Sequence, residues 1–294
     1  MTAVVRDDDH PLGPLVNPGR IGGLSDVFRR RYLLKLLVRK ELRVRYAASS
    51  VGLLWSYVKP AVRFLMYWQV IELLLPKALE NRPLHIFAGM IMVSFMTDCL
   101  TSGTKSVLKN KALVRKINLP REMFPVASVL VSMYHMIPMY VIAIFGCIVA
   151  GWTAEPGAFA AAGLAFLIAV VWGLATALFL SAWNVYYRDI ANITEVIQTV
   201  ITWTVPMIYP FSAIQDSLSG VAEQIYLASP LCIAVLLNDR AFWLPTLDEP
   251  NAAATELPPD LWERGVIALL VGMIFLWIAQ RVFSRLEGGF AEQL

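Results

Sequence analysis

Long apolar runs, separated by shorter polar stretches, dominate the chain and predict six membrane-spanning helices. Several of these runs reach the ~20 residues that an α-helix needs to cross a bilayer. The predicted spans cover residues 61–75, 84–101, 123–152, 157–183, 193–209 and 266–283. Mean hydropathy is +0.59, and 16% of the residues are charged, against roughly a quarter in soluble domains. The sequence therefore predicts an all-α integral membrane protein.

A basic amphipathic segment precedes the first span. Eight Lys or Arg side chains fall between residues 29 and 45, and apolar residues such as Leu33, Leu36 and Leu37 recur among them at helical spacing. A helix of this composition binds the surface of an anionic membrane. We predict an interfacial helix within 25–60. A simple topology anchor and a solvated charged helix are the alternatives. Residues 1–24 are acidic and then rich in Pro and Gly, which predicts a flexible tail without a secretory signal.

The distribution of Lys and Arg predicts the orientation of the chain in the membrane. Twenty of the 25 Lys and Arg residues, counting Arg281 near the end of the sixth predicted span, lie on the same side as the two termini, and four lie in the loops of the other side. Cytoplasmic loops carry the excess of positive charge in membrane proteins. We therefore predict that both termini are cytoplasmic, with a short cytoplasmic tail at 284–294.

The connection between the fifth and sixth spans, residues 210–263, is long and only half apolar. Its two apolar segments, 214–227 and 231–243, are each too short to cross a bilayer, and Ser229-Pro230 separates them. Non-helical backbone at membrane depth needs protein or water to satisfy its polar groups. These segments predict a re-entrant helical hairpin that acts as an outer gate.

Small residues recur at every fourth position through the fourth span. Such a stripe allows two helix backbones to approach closely in lipid. We predict that it is a packing seam within one subunit rather than a substrate site. The residues of the stripe are Gly157, Ala161, Ala165, Ala169, Gly173, Ala177 and Ser181.

Polar side chains within spans one, two and five predict a pathway through the membrane, because such groups are costly there. Ser94, Thr97, Asp98 and Thr101 share one helix face. Hydroxyls, amides and aromatic rings together suit a sugar chain. Hydrogen bonding between helices and an aromatic belt at the membrane surface are the alternative explanation. The candidate channel-lining residues are Tyr67, Trp68, Glu72, Thr97, Asp98, Glu195, Gln198, Thr202 and Trp203.

Catalytic and nucleotide-binding motifs are not evident in the sequence. The nearest fragment to a phosphate-binding loop, at residues 103–106, lacks the first glycine of that motif and has Thr before its Lys. The three cysteines are isolated and the three histidines are scattered, so neither a disulfide framework nor a metal site is indicated. We predict a non-enzymatic chain without a cofactor, in which any ATP and Mg would belong to another subunit.

Four short motifs follow one another along the chain. They are Arg45-Tyr46 with Ser50, Gly52, Trp55 and Pro60; KINLPREMFP at 116–125; NVYYRDI at 184–190; and PMIYP at 206–210. Together they resemble the membrane subunit of ABC type-2 polysaccharide exporters, a family that includes O-antigen, capsule and teichoic-acid exporters. Overall the chain looks most similar to the galactan exporters of actinobacteria. Val51 stands where this family usually has Leu, and Ser229-Pro230 where it usually has Asn-Pro.

The resemblance implies a homodimer in the cytoplasmic (inner) membrane, assembled with two copies of a cytoplasmic ATP-binding cassette subunit. It implies a six-span permease domain over 61–283, with a channel at the dimer axis for a polyprenyl-diphosphate-linked polysaccharide. It gives no role to nucleic acid. Membrane lipids and the diphosphate head group would meet the basic helix, through Arg29, Arg30, Arg31, Arg39, Arg43 and Arg45.

The resemblance also implies that the cytoplasmic segment 103–122 couples the permease to the ATPase, with a second contact at 184–190. The coupling residues would be Lys111, Arg115, Lys116, Arg121, Glu122, Arg188 and Asp189. Three other functions stay open at this point. They are an ABC type-2 permease for a drug or lipid, an integral membrane glycosyltransferase or acyltransferase, and a scaffold.

Overall fold

The computed structural model describes residues 23–46, 52–74, 80–116, 119–153, 155–218, 220–248 and 257–294. Within these ranges all regular structure is helical, as the apolar pattern predicts. Most of the predicted flexible tail, residues 1–22, lies outside the described residues. So do Ser50 and Val51 of the first motif and residues 117–118 of the second.

The predicted interfacial segment consists of two helices, α1 (Leu24–Arg29) and α2 (Arg31–Tyr46). Helix α2 buries Leu34 and Leu37 and packs against the helix that begins at Met123, whereas its basic side chains are exposed. A short 3-10 turn, Gly52–Leu54, leads into α3 (Trp55–Leu74). The helix that carries the first predicted span, 61–75, therefore begins at Trp55. The position of α2 at a membrane surface stays a prediction.

Nine further helices follow in chain order among the described residues. They are α4 (Arg82–Lys109), α5 (Lys111–Lys116), α6 (Met123–Val149), α7 (Pro156–Tyr186), α8 (Ile190–Thr204), α9 (Phe211–Ser217), α10 (Val221–Leu227), α11 (Pro230–Phe242) and α12 (Leu261–Leu286). Short 3-10 turns at Leu244–Thr246 and Glu287–Gly289 follow α11 and α12, and the chain ends with α13 (Phe290–Gln293).

In the described part of the chain, four helical stretches are long and apolar enough to cross a membrane: Arg82–Lys116, Met123–Val149, Pro156–Tyr186 and Leu261–Gly289. A fifth span results if Val221–Leu227 and Pro230–Thr246, which meet at a bend of 76°, count as one. Helix α3 carries three charged residues and α8 has 15 residues, which explains why neither is among the four. The chain is therefore a multi-pass membrane protein. The number of six spans and the cytoplasmic side of the termini stay predictions.

Helix α7 lies at the centre of the fold and packs against α4, α11 and α12. The stripe of small residues faces these neighbours, because every member from Ala161 to Ser181 is buried. Only Gly157, at the start of the helix, is exposed. An ideal Cβ on Gly103 of α4 would lie 2.6 Å from the Cβ of Ala177. The predicted packing seam is confirmed, and it lies within one chain.

The outer connection differs in detail from the predicted hairpin. Two helices, α9 and α10, replace the single predicted segment 214–227, because Gly220 between them has a φ of 62°, in the left-handed region. The predicted turn is present: Ser229 caps α11, with its Oγ accepting from Cys232 N at 3.5 Å, and Pro230 begins the helix.

The two sides of this turn have different surroundings. Helix α11 is almost entirely buried against α4, α7 and α12. Its Asn238 donates to the carbonyl of Ala88 at 2.8 Å, and its Asp239 lies 3.3 Å from His85. Helix α10, in contrast, exposes Val221 and Ile225. The second half of the predicted hairpin therefore belongs to the core of the subunit. A gate function stays a prediction, and only α9 and α10 offer surface for it.

Candidate functional site

A polar pocket lies where the end of α2 meets α3, α4, α6 and α8. Its volume is about 220 Å³. The lining combines three cations, one carboxylate, one imidazole, three hydroxyls, one amide and several apolar side chains. The residues are Arg45, Trp55, Lys59, Pro60, Arg63, Ile91, Ser94, Phe95, Thr97, Asp98, Ser132, His135, Met136, Met139 and Gln198.

The pocket brings together four residues that sequence reasoning had selected for two separate roles. Arg45 comes from α2, Thr97 and Asp98 from α4, and Gln198 from α8. Sequence reasoning missed Lys59 and Arg63 of α3, together with Ser132 and His135 of α6. A signal for the two cations was present, since Arg63 is a charged side chain within a predicted span and Lys59, four residues earlier, lies on the same helix face.

One ion pair crosses the pocket, between Arg45 Nη2 and Asp98 Oδ1 at 3.9 Å. Both side chains are partly open, with 41% and 37% of their surface exposed. An exposed pair at this distance contributes little to stability, because solvent competes for both charges. The pair can therefore separate at small cost when another charged group arrives.

The hydroxyl groups around the pocket bond mainly to their own helices. Thr97 Oγ1 donates to the carbonyl of Ser94 at 3.1 Å, and Thr101 Oγ1 donates to that of Thr97 at 2.9 Å. On α8, Thr202 Oγ1 donates to the carbonyl of Gln198 at 2.9 Å. This back-bonding occupies the hydroxyl protons and leaves the oxygen lone pairs as acceptors. These hydroxyls can therefore accept hydrogen bonds from a sugar more readily than donate them.

A second cavity, of about 280 Å³, continues along α4 towards Lys109 and shares Arg45 with the first. Its wall is held by polar contacts between helices. Lys109 Nζ of α4 binds Glu41 Oε2 of α2 at 2.5 Å, and Lys40 of α2 donates to Asn110 at 2.7 Å. These contacts tie the amphipathic helix α2 to the start of the predicted coupling segment.

The other predicted channel residues lie outside the pocket. Glu72 pairs with Arg82 at 3.4 Å, and Glu195 pairs with Lys105 at 2.9 Å. Trp203 is 65% exposed on α8. Tyr67 packs at the edge of the apolar core, Trp68 stacks on Phe64, and Thr202 is half-buried. These residues occupy the surfaces of α3 and α8 rather than one lumen of the single subunit.

The predicted diphosphate-binding arginines are spread along α1 and α2, and Arg45 alone among them lines the pocket. The other five are exposed: Arg29, Arg30, Arg31, Arg39 and Arg43. Sequence spacing could not separate these arginines, because all of them share the same basic segment.

The predicted coupling residues divide into an exposed and a buried group. Helix α5 buries Val114 and exposes Lys111, Arg115 and Lys116, and the link between α7 and α8 exposes Arg188 and Asp189. Glu122, in contrast, is fully buried and accepts from Gln280 Nε2 at 2.9 Å and from Ser284 Oγ at 3.5 Å.

The neighbouring Arg121 donates to the backbone carbonyl of Glu287. Burial raises the pKa of the Glu122 carboxyl above its ordinary value, whereas hydrogen bonds, including those from Gln280 and Ser284, oppose the shift. Arg121 and Glu122 therefore join the coupling segment to the end of α12. This arrangement differs from the predicted contact of their side chains with a partner subunit.

Comparison with known proteins identifies the family. The family model described as "ABC-2 type transporter" matches residues 32–235, which include the pocket, the coupling segment and α7. The chain belongs to the ABC-2 type transporter family.

Several curated relatives of this ABC-2 permease carry a specific name. The O-antigen export system permease protein RfbA of Myxococcus xanthus is 24% identical over 277 residues, covering 92% of this chain and 98% of the relative. A protein of the same name from Klebsiella pneumoniae is 23% identical over 265 residues, with 89% and 95% covered. A further Klebsiella pneumoniae protein of that name is 21% identical over 262 residues. The match to these permeases therefore extends over almost the whole chain.

This ABC-2 permease also has a large apolar cavity, of about 680 Å³, between α4, α7, α8, α10, α11 and α12. Aromatic rings and aliphatic side chains form most of its lining, so it is apolar where the first pocket is polar. The lining includes Met96, Leu100, Trp172, Phe179, Ile197, Ile201, Ile225, Tyr226, Leu231 and Phe275. Within the described ranges, three or more potential metal ligands do not come together anywhere.

Proposed function

We propose that this ABC-2 permease exports a lipid-linked polysaccharide across the cytoplasmic membrane, driven by a separate ATPase subunit. One observation carries the proposal: relatives matched over about nine-tenths of this chain are named O-antigen export permeases. The lipid carrier is a polyprenyl diphosphate, and the polymer resembles an O-antigen or a galactan.

The chemistry of the polar pocket supports this proposal. Its cations suit a phosphate-bearing head group, since guanidinium groups bind phosphate through paired hydrogen bonds. Its hydroxyl oxygens, its amide and the ring of Trp55 suit a sugar. The second cavity continues from Arg45 towards the predicted cytoplasmic end of α4, where a substrate made inside the cell would arrive.

The exposed cations of α5 support the ATPase partner. Lys111, Arg115 and Lys116 lie on one short helix whose only buried side chain among the described residues is Val114. This small basic surface would bind the ATPase subunit. The hydrogen bonds that join Arg121 and Glu122 to the end of α12 would then transmit a conformational change of the ATPase to the membrane helices. The proposed assembly contains two permease subunits and two ATPase subunits.

A second candidate function has one specific observation in its favour. The apolar cavity beside α8 and α10 could hold a lipid or a drug-sized molecule, since its volume falls within the ~300–1,000 Å³ typical of such sites. An ABC-2 permease for an apolar substrate would therefore use this cavity instead of the polar pocket.

Depletion of the permease in its native host tests the two candidates together. Export of a lipid-linked polymer predicts that the surface polymer disappears while lipid-linked glycan accumulates inside the cell. A plasmid copy of the wild-type gene is the control and should restore both. If the surface polymer persists while drug resistance or phospholipid composition changes, the second candidate is correct. Loss of all polymer without accumulation would point to a transferase and contradict both.

A further inference from the structure

Two cations occupy the polar-pocket side of α3: Arg63 lies within the first predicted span, 61–75, and Lys59 lies just before it. Lys59 and Arg63 are one helical turn apart and both line the pocket. A charged side chain in the membrane interior is unfavourable in free energy, and it usually faces a polar cavity or a ligand. Helix α3 would be more apolar, and easier to insert, with neutral residues at these two positions. Their presence therefore needs a compensating contact.

The charges that face each other in the pocket do not balance. Arg45 joins Lys59 and Arg63, and Asp98 is the single carboxylate among the lining residues. All three cations interact electrostatically with Asp98. These three positive charges and one negative charge leave an excess of two positive charges. A ligand group with two negative charges would neutralise this excess.

We propose that Arg45, Lys59 and Arg63 bind the phosphate groups of a lipid head group, and that Asp98 is the counter-ion which these phosphates displace from Arg45. The inference deepens the proposed function and rests on it for the identity of the lipid, a polyprenyl diphosphate. The long Arg45–Asp98 distance of 3.9 Å fits a pair that exchanges its partner. The site differs from the arginine stretch expected from the sequence, because two of its three cations belong to α3.

The role of Asp98 distinguishes this site from a merely structural ion pair. If Asp98 competes with phosphate for Arg45, its neutralisation frees Arg45 and tightens phosphate binding. If Asp98 only holds α2 against α4, its neutralisation loosens the wall and weakens binding. Asp98→Asn keeps the shape of the side chain while it removes the charge, so the two cases differ in sign.

A binding experiment on the full-length permease tests the proposal. The protein is placed in nanodiscs of phosphatidylcholine and titrated with inorganic pyrophosphate and with a short-chain prenyl diphosphate, followed by calorimetry. Lys59→Gln and Arg63→Gln should each weaken binding by about tenfold, whereas Asp98→Asn should tighten it several-fold. Arg285→Gln, which removes an exposed Arg of α12, is the matched control and should leave binding unchanged.

Several results would overturn the proposal. Equal losses in Arg63→Gln and Arg285→Gln would show that the overall charge of the protein, rather than this pocket, attracts the phosphates. Weaker binding in Asp98→Asn would make Asp98 a structural residue. Tighter binding of phosphatidylglycerol than of the prenyl diphosphate would contradict the assigned lipid.

Conservative variants Lys59→Arg and Arg63→Lys should retain most of the affinity, and melting curves should show that every variant is folded.

The binding test and the depletion test fail independently. If pyrophosphate binds as expected but depletion leaves the surface polymer intact, the phosphate site stands and the export proposal fails. If depletion removes the polymer but binding is insensitive to Lys59, Arg63 and Asp98, export stands and this site is wrong.

Discussion

Two groups of helices in this permease differ sharply in packing. Helices α4, α7, α11 and α12 enclose a close-packed core, in which the stripe of small residues brings α7 against its neighbours. Helices α3 and α8 bury little. Thr194 is the one buried residue of α8, and among the described side chains of α3 none is buried. The stability of the fold therefore resides in the first group, the packed group.

The second group, α3 and α8, supplies part of the polar pocket, including two of its three cations. Both helices contribute to the polar pocket, and both expose apolar side chains to their surroundings. Segments with few buried contacts open at low free-energy cost, and binding elements are drawn from them. We infer that the packed group is the scaffold and that α3 and α8 are the elements that move or contact other subunits.

The largest effect on stability is expected at Asp239 of α11. Its carboxylate is fully buried and lies 3.3 Å from the imidazole of His85. Removing one member of a buried pair costs about 3–5 kcal/mol, because the other member stays buried without it. Asp239→Ala should therefore lower the melting temperature in detergent strongly, whereas Glu263→Ala, at an exposed position, should not.

Replacing both members of this pair sharpens the test. The double variant His85→Leu/Asp239→Leu should be more stable than Asp239→Ala, because apolar side chains can fill the site without a charge. If Asp239→Ala melts like the wild type, this pair does not hold α4 and α11 of the packed group together.

A smaller but clear effect is expected at the seam between α4 and α7. A Cβ on Gly103 would lie 2.6 Å from the Cβ of Ala177 and 3.0 Å from its Cα. Relieving this clash would require the backbone of α4 or α7 to shift, which costs free energy. Gly103→Leu should destabilise the protein by about 1–3 kcal/mol through overpacking. Gly163→Leu is the matched control, because a Cβ there meets open space among the described residues. Equal melting temperatures of the two variants would contradict the close-packed seam.

The sequence predicted the packed group well because its signal is periodic. Small residues at every fourth position required a close neighbour, and the neighbour proved to be α4. The turn at Ser229-Pro230 was also readable from local composition, whereas the helix that carries the first predicted span begins at Trp55 rather than at residue 61. Such features depend on residues that are near each other in the chain.

The functional site was less predictable because it depends on contacts between distant segments. Arg45 and Asp98 were assigned to different roles, and only the fold places them in one pocket. The segment that forms α11 was predicted as half of a re-entrant gate hairpin, since its apolar length cannot distinguish a re-entrant helix from a core helix. Glu122 appeared as a surface charge, although Gln280, 158 residues away, binds it inside the subunit.

The smallest effect on stability is expected at the ion pair that links the two groups, Lys105 of α4 and Glu195 of α8. Their 2.9 Å contact is solvent-exposed, with 49% and 59% of the side-chain surfaces accessible, so it contributes about 0.2–1 kcal/mol. Lys105→Glu and Glu195→Lys should each lower the melting temperature slightly, and the combined swap should restore it, in a double-mutant cycle measured in detergent. Because α8 buries little else, each charge reversal should clearly reduce polymer export although it lowers the melting temperature only slightly. The combined swap should restore export. A coupling energy above about 2 kcal/mol, beyond that of exposed pairs, would mean that α8 is held as firmly as the packed group. The division between scaffold and moving helices would then be wrong.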